Sequence, residues 1–131
     1  MKRKAIIISL SGKTLTNLEK SLIKSHRPWG IILFKRNIGS FMQTKKLITN
    51  IRRLMKDKRY PILIDEEGGR VTRLSNLIKN NYSQKYFGDI LKKNRKFAFP
   101  IYKNYLLSII NILKTLGINI NTVPVLDVFT K

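Results

Sequence analysis

Apolar residues recur along this chain in two rhythms, as short unbroken runs and as longer stretches where they return every three or four positions. Residues 5–10 (AIIISL), 30–35 (GIILFK) and 61–65 (PILID) are of the first kind, and each runs into a polar or glycine-containing turn. Such runs predict strands buried on both faces. Between the first two, Leu18, Leu22 and Ile23 form one apolar stripe of a helix capped by Thr14 or Thr16, with Pro28 past its end. Between the second and third, Ser40 caps a longer helix carrying Phe41, Leu47, Ile48, Ile51, Leu54 and Met55, with Lys45, Lys46, Arg52 and Arg53 on its solvated side. This alternation predicts an α/β fold with a parallel sheet and right-handed crossovers.

After Arg73 the pattern loosens. Residues 75–96 mix polar, aromatic and basic side chains without a period, which predicts an extended connection with at most short helices. From Pro100 onward, Ile101, Tyr105, Leu106, Ile109, Ile110, Leu113 and Leu116 share a wide helical face, and Gly117 supplies the stop. Residues 118–128 then predict a further strand, closing on Asp127. No repeat or low-complexity linker interrupts the 131 residues, so residues 1–131 read as one domain or part of one.

Chemistry concentrates in residues 61–74, PILIDEEGGRVTRL, which hold three of the seven acidic residues. Charge at the carboxyl end of a buried strand is where α/β folds place ligand sites. On an extended backbone Asp65 and Glu67 point to one side and Glu66 to the other. Two carboxylates in one pocket suggest glycosidase chemistry, in which retaining enzymes hold such groups about 5 to 5.5 Å apart. Neighbours on one strand, however, approach a scissile bond from one direction only. Substrate holding suits them better: a carboxylate accepts hydrogen bonds from sugar hydroxyls while Arg70 or Arg73 orients it. An ion-pair cluster that merely pins the loop fits the same residues equally well. Gly68-Gly69 supplies tight backbone and carries little evidence for nucleotide binding.

Composition narrows the partners. A formal charge of +20 invites a nucleic-acid reading, but Lys outnumbers Arg two to one and the basic residues are strewn along the whole chain without a dense tract. The distribution argues against nucleic acid as a partner. With no cysteine and a single histidine, neither a disulfide framework nor a metal site is expected, no cofactor is implied, and a reducing cytoplasm is the natural compartment. His26 lies at a predicted helix end, away from the acids, as a capping or surface residue. Trp29 reads as packing at a strand entrance. The basic amino terminus precedes an apolar run too short for a secretory signal, which needs about 7 to 15 residues, and no membrane span is expected.

Three segments taken together, GIILFKRNI at residues 30–38, IDEEGGRVTRL at 64–74 and LGININTVPVLDV at 116–128, resemble glycoside hydrolase family 3, specifically the bacterial β-N-acetylhexosaminidases. The family signature typically reads Asp-Gln-Glu-Gly-Gly-Arg-Val, and Glu66 stands here in place of the glutamine. The resemblance implies a parallel (β/α)8 TIM-type barrel of which this chain supplies about the first half, binding terminal N-acetylglucosamine at its strand ends. It implies a retaining reaction through a covalent glycosyl-enzyme, acting on saccharides or muropeptides in cytoplasmic peptidoglycan recycling. By the same resemblance Asp65 and Arg73 hold the sugar, Glu67 and Arg70 support the loop, and Asp127 has a less defined strand-end role. The family's histidine acid/base, its aspartate nucleophile and a further substrate-binding arginine have no counterpart in these residues. No catalytic residue is therefore expected in this chain, and on its own it is expected to be inactive. A half barrel leaves a strand edge and apolar faces uncovered, which predicts instability, aggregation or association with a complementary carboxy-terminal half. The alternatives are a non-catalytic sugar-binding remnant and, in third place, a basic nucleic-acid-binding protein.

Overall fold

In the computed structural model, which describes residues 2–124, four strands form one parallel sheet whose spatial order follows the sequence. They are β1 (Lys4–Ser9), β2 (Pro28–Leu33), β3 (Ile62–Ile64) and β4 (Ile120–Asn121). Parallel neighbours need a crossover, and α1 (Asn17–His26) and α2 (Phe41–Met55) provide the first two. The third runs through a long loop, α3 (Gln84–Lys93) and α4 (Arg95–Leu116).

Local sequence chemistry accounts for these elements. Thr16 caps α1 in a capping box: its hydroxyl accepts the Glu19 N–H, while the Glu19 carboxylate reaches back to the Thr16 N–H at 2.8 Å. Ser40 caps α2 through the Gln43 N–H, and the predicted start of that helix holds. The core joins Ile31 and Leu33 of β2 and Ile62 and Ile64 of β3 to Ile48, Ile51 and Met55 of α2 and Leu113 and Leu116 of α4, all buried. Removing one such side chain, as in Ile51→Ala, costs about 2 to 5 kcal/mol.

The short β4 borrows pairing from its asparagines. The Asn119 side-chain oxygen accepts the Ile62 N–H at 2.7 Å, and that of Asn121 accepts the Glu66 N–H at 3.0 Å. Both amides thus extend the β3–β4 ladder beyond its backbone bonds.

Three expectations change. The strand predicted as buried on both faces at residues 5–10 is the edge of the sheet, with Ile6 45% and Ile7 47% exposed, because it has a neighbour on one side only. Residues 75–96 hold a ten-residue helix, α3, capped by Ser83. Its apolar contacts are aromatic rather than periodic: the Phe87 ring lies 4.8 Å from that of Tyr102 and 4.7 Å from that of Tyr105. The following helix begins at Arg95, capped by Asn94, and passes through Pro100 in its second turn. The strand predicted over residues 118–128 is described only at Ile120–Asn121; its end, with Asp127, lies outside the described residues. Among the described residues no helix is long and apolar enough to cross a membrane.

Candidate functional site

β3 lies between β2 and β4, and the backbone leaves its carboxyl end at Asp65. The Asp65 carboxylate meets the Arg73 guanidinium at 3.1 Å and accepts the Thr122 hydroxyl at 3.3 Å. The two charged side chains are 25% and 27% exposed, open enough for a ligand to reach both. A partly solvated ion pair contributes at most about 1 kcal/mol to stability, so the value of this pair is geometric. The Arg73 Nε is buried without a hydrogen-bond partner among the described residues. The structure thus brings Asp65 and Arg73 together, as the sequence suggested.

Glu66 turns the other way and is 2% exposed. One carboxylate oxygen accepts the Thr72 hydroxyl at 2.8 Å and the Asn80 amide at 2.6 Å; the other accepts the backbone N–H groups of Arg73 at 2.6 Å and Leu74 at 3.0 Å. Four donors converge on one buried carboxylate, closing the loop that carries Arg73. Sequence reasoning placed Glu66 opposite Asp65 and allowed a cluster that pins the loop, but it missed that this one carboxylate gathers the donors. The available signal was alternation: a residue opposite Asp65 must face the helix layer, where a carboxylate needs donors. Arg70, expected to support the loop, is exposed.

The glycines make the loop's close approach possible. Gly68 and Gly69 adopt φ of +82° and +63°, in the left-handed region. The Gly69 N–H reaches the Asn80 carbonyl at 2.8 Å, and a Cβ on Gly68 would run into the Tyr82 carbonyl oxygen. Tyr105 donates to the Asn80 side-chain oxygen at 3.1 Å, which ties α4 to the same loop.

On the β2 side, Phe34 and Arg36 follow the strand end. The Arg36 and Arg73 guanidiniums lie 4.8 and 5.4 Å from the Phe34 ring centroid. Arg36 also donates from Nε to the Leu10 carbonyl at 2.8 Å and from a terminal nitrogen to the Ser9 hydroxyl at 3.0 Å. The carboxyl ends of all four strands are therefore joined by side chains.

His26 and Trp29 sit at the other end of the sheet. His26 is exposed at the last position of α1, 3.1 Å from the Lys4 amine at the start of β1, and Trp29 is 41% exposed near the start of β2. Neither can touch a ligand held by Asp65. Among the described residues no group of three or more His, Cys, Asp or Glu could hold a metal ion.

A parallel sheet wound in strand order, with a carboxylate, arginines and a glycine-tight loop at its carboxyl edge, is the layout of α/β proteins that bind ligands at strand ends. The particular likeness is to bacterial beta-hexosaminidases, and the resemblance to glycoside hydrolase family 3 carried by the motifs holds. The chain is 29% identical to the Beta-hexosaminidase of Thioalkalivibrio sulfidiphilus over 122 residues, covering 93% of this chain and 35% of that protein. It superposes on NagZ from Neisseria gonorrhoeae, solved in complex with N-trifluoroacetyl-D-glucosamine, with a TM-score of 0.87 and 28% identity over 95% of this chain and 36% of that one. A glycoside hydrolase family 3 beta-N-acetylglucosaminidase from Paenibacillus gives a TM-score of 0.71 at 27% identity, covering 90% of this chain and 22% of that one. No protein-family model matches the chain. It spans about a third of the length of the curated relatives it matches.

Proposed function

We propose that residues 1–131 are the amino-terminal part of a glycoside hydrolase family 3 barrel domain, in which Asp65 and Arg73 hold the terminal N-acetylglucosamine of a β-linked saccharide or muropeptide. The observation that carries this reading is the half-open Asp65–Arg73 pair, 3.1 Å apart at the carboxyl end of β3. A carboxylate there accepts hydrogen bonds from two sugar hydroxyls, while the guanidinium donates to an oxygen beside them. Strictly sequential strand order, with helices on the connections, is what four consecutive units of an eight-stranded barrel require. Exposed Ile6 and Ile7 on β1 are the surface that a closing strand would cover.

The same geometry supports holding rather than bond cleavage. Retaining hydrolysis needs a nucleophile and an acid on different sides of the glycosidic bond. Glu66 is buried with its lone pairs engaged by four donors, and Asp65 and Glu67 belong to the same loop. The nucleophile and the histidine acid/base come, in this reading, from a carboxy-terminal part of the barrel beyond these residues, and the complete enzyme releases N-acetylglucosamine in cytoplasmic peptidoglycan recycling.

Isotope-labelled protein titrated with N-acetylglucosamine tests the reading. Shifts confined to Asp65, Arg73 and their neighbours, abolished by Asp65→Ala, are expected, together with no release of a chromogenic aglycone. Turnover by the pure 131-residue protein would refute the division of labour. Absence of sugar binding would refute the site.

A further inference from the structure

Phe34 is held before any ligand arrives. Its N–H donates to the Asn37 side-chain oxygen at 2.9 Å, and Asn37, fully buried, donates in turn to the Leu10 and Gly12 carbonyls at 3.0 and 2.8 Å. Two guanidiniums lie over its ring, Arg36 at 4.8 Å and Arg73 at 5.4 Å from the centroid. A ring so occupied by cations is engaged rather than offered as a stacking platform for a sugar.

Arg73 needs such a partner. Its described side-chain hydrogen bond is the one to Asp65, and its buried Nε has no partner among the described residues. A single N–H···O contact leaves a guanidinium free to pivot about that contact. A flat aromatic face beneath the guanidinium removes the freedom, because the cation follows the electron-rich face of the ring. Arg36, tied to Ser9 and Leu10 at the end of β1, lies over the same ring and packs it from the β1 side. We infer that Phe34, backed by Arg36, is a positioning residue for Arg73: it orients the guanidinium so that one terminal nitrogen meets Asp65 and the other faces the ligand. The last step rests on the sugar-holding reading above; the orientation of Arg73 does not.

The experiment follows the Arg73 side-chain proton resonances, assigned by their loss in Arg73→Lys, in wild type, Phe34→Leu, Phe34→Tyr and Arg36→Gln, together with N-acetylglucosamine affinity. Wild type and Phe34→Tyr are expected to show upfield ring-current shifts on Arg73. Phe34→Leu is expected to lose those shifts and to bind N-acetylglucosamine about tenfold more weakly, a change of about 1.4 kcal/mol. The tyrosine variant should bind as wild type. Ordinary Arg73 shifts in wild type, or a folded Phe34→Leu protein with undiminished affinity, would overturn the inference. If Phe34→Leu does not fold, Arg36→Gln decides: partial loss of both shift and affinity supports the assignment, and no change in either overturns it. If wild type binds no sugar while the ring-current shift is present, the sugar reading fails and the orientation of Arg73 by Phe34 stands.

Discussion

The Asn80 amide donates a 2.6 Å hydrogen bond to the Glu66 carboxylate, fourteen residues away along the chain, and so returns the loop to the end of β3. That contact, with the Thr72 hydroxyl and two backbone N–H groups on the same carboxylate, gives Arg73 the backbone position from which its side chain reaches Asp65. One carboxylate organises the loop from below, and its neighbour stays partly exposed beside Arg73.

Glu66→Ala should therefore be among the more damaging substitutions in the chain. Each buried donor left unpaired costs about 1 to 3 kcal/mol, so a loss of about 3 kcal/mol or more is expected in urea denaturation. Glu66→Gln should cost under about 1 kcal/mol, because its oxygen can take the two backbone N–H groups while its amide faces Thr72 and a flipped Asn80. Equal losses in the two variants would contradict this account of the carboxylate.

Two glycines should respond in opposite directions. Gly68 combines φ of +82° with a Cβ position that meets the Tyr82 backbone and lies 2.7 Å from the Tyr105 hydroxyl, neither of which yields cheaply. Gly68→Ala is expected to destabilise by about 2 kcal/mol or more. Gly88 lies inside α3 with nothing within 4 Å of its would-be Cβ, and Gly88→Ala should stabilise by about 0.5 to 1 kcal/mol. Thermal melting of the pair checks both signs.

Arg73→Lys keeps the charge but loses the planar fork, and it cannot present one nitrogen to Asp65 and another to a sugar in fixed geometry. N-acetylglucosamine affinity should fall about tenfold or more while stability changes by less than about 1 kcal/mol, as for a partly exposed ion pair. Calorimetric titration beside a melting curve separates the two effects. A variant that binds as wild type would remove Arg73 from the site.

Burial pushes the Tyr60 hydroxyl up to about 12, against the opposing charges of Arg3 and Arg27. The group donates to the Pro28 carbonyl at 2.7 Å, so its protonated form is the one the fold holds. A folded-state value raised above the unfolded phenol value of about 10 contributes stability that is complete below that pH and is lost as pH rises towards 12. Ultraviolet difference titration should show late-ionising tyrosine absorbance that falls by one residue's worth in Tyr60→Phe, leaving that of Tyr105, which burial also pushes up. Ionisation of every tyrosine near the unfolded value would contradict the assignment.

Legibility followed the range of the interactions. Strands and helices whose apolar residues keep a strict rhythm, such as α2 with its Ser40 cap, were readable because their period and cap are local properties. The Asp65–Arg73 pair was readable through a motif eight residues apart. α3 was not, since its apolar contacts come from scattered rings that meet Tyr102 and Tyr105 only after the chain has folded back on itself.

By itself the sequence determined the class of fold, the order of the strand units through β3 and the loop where charge collects, because alternation, caps and glycine turns act within a few residues. Tertiary structure alone decided that the loop closes upon Glu66, by bringing Thr72, Asn80 and two backbone N–H groups to its carboxylate. It also decided that Phe34 lies under Arg73, and that β1 is an edge. Those facts depend on which strands lie side by side, and a buried carboxylate or an aromatic face acquires its role only from the donors and cations that distant segments bring to it.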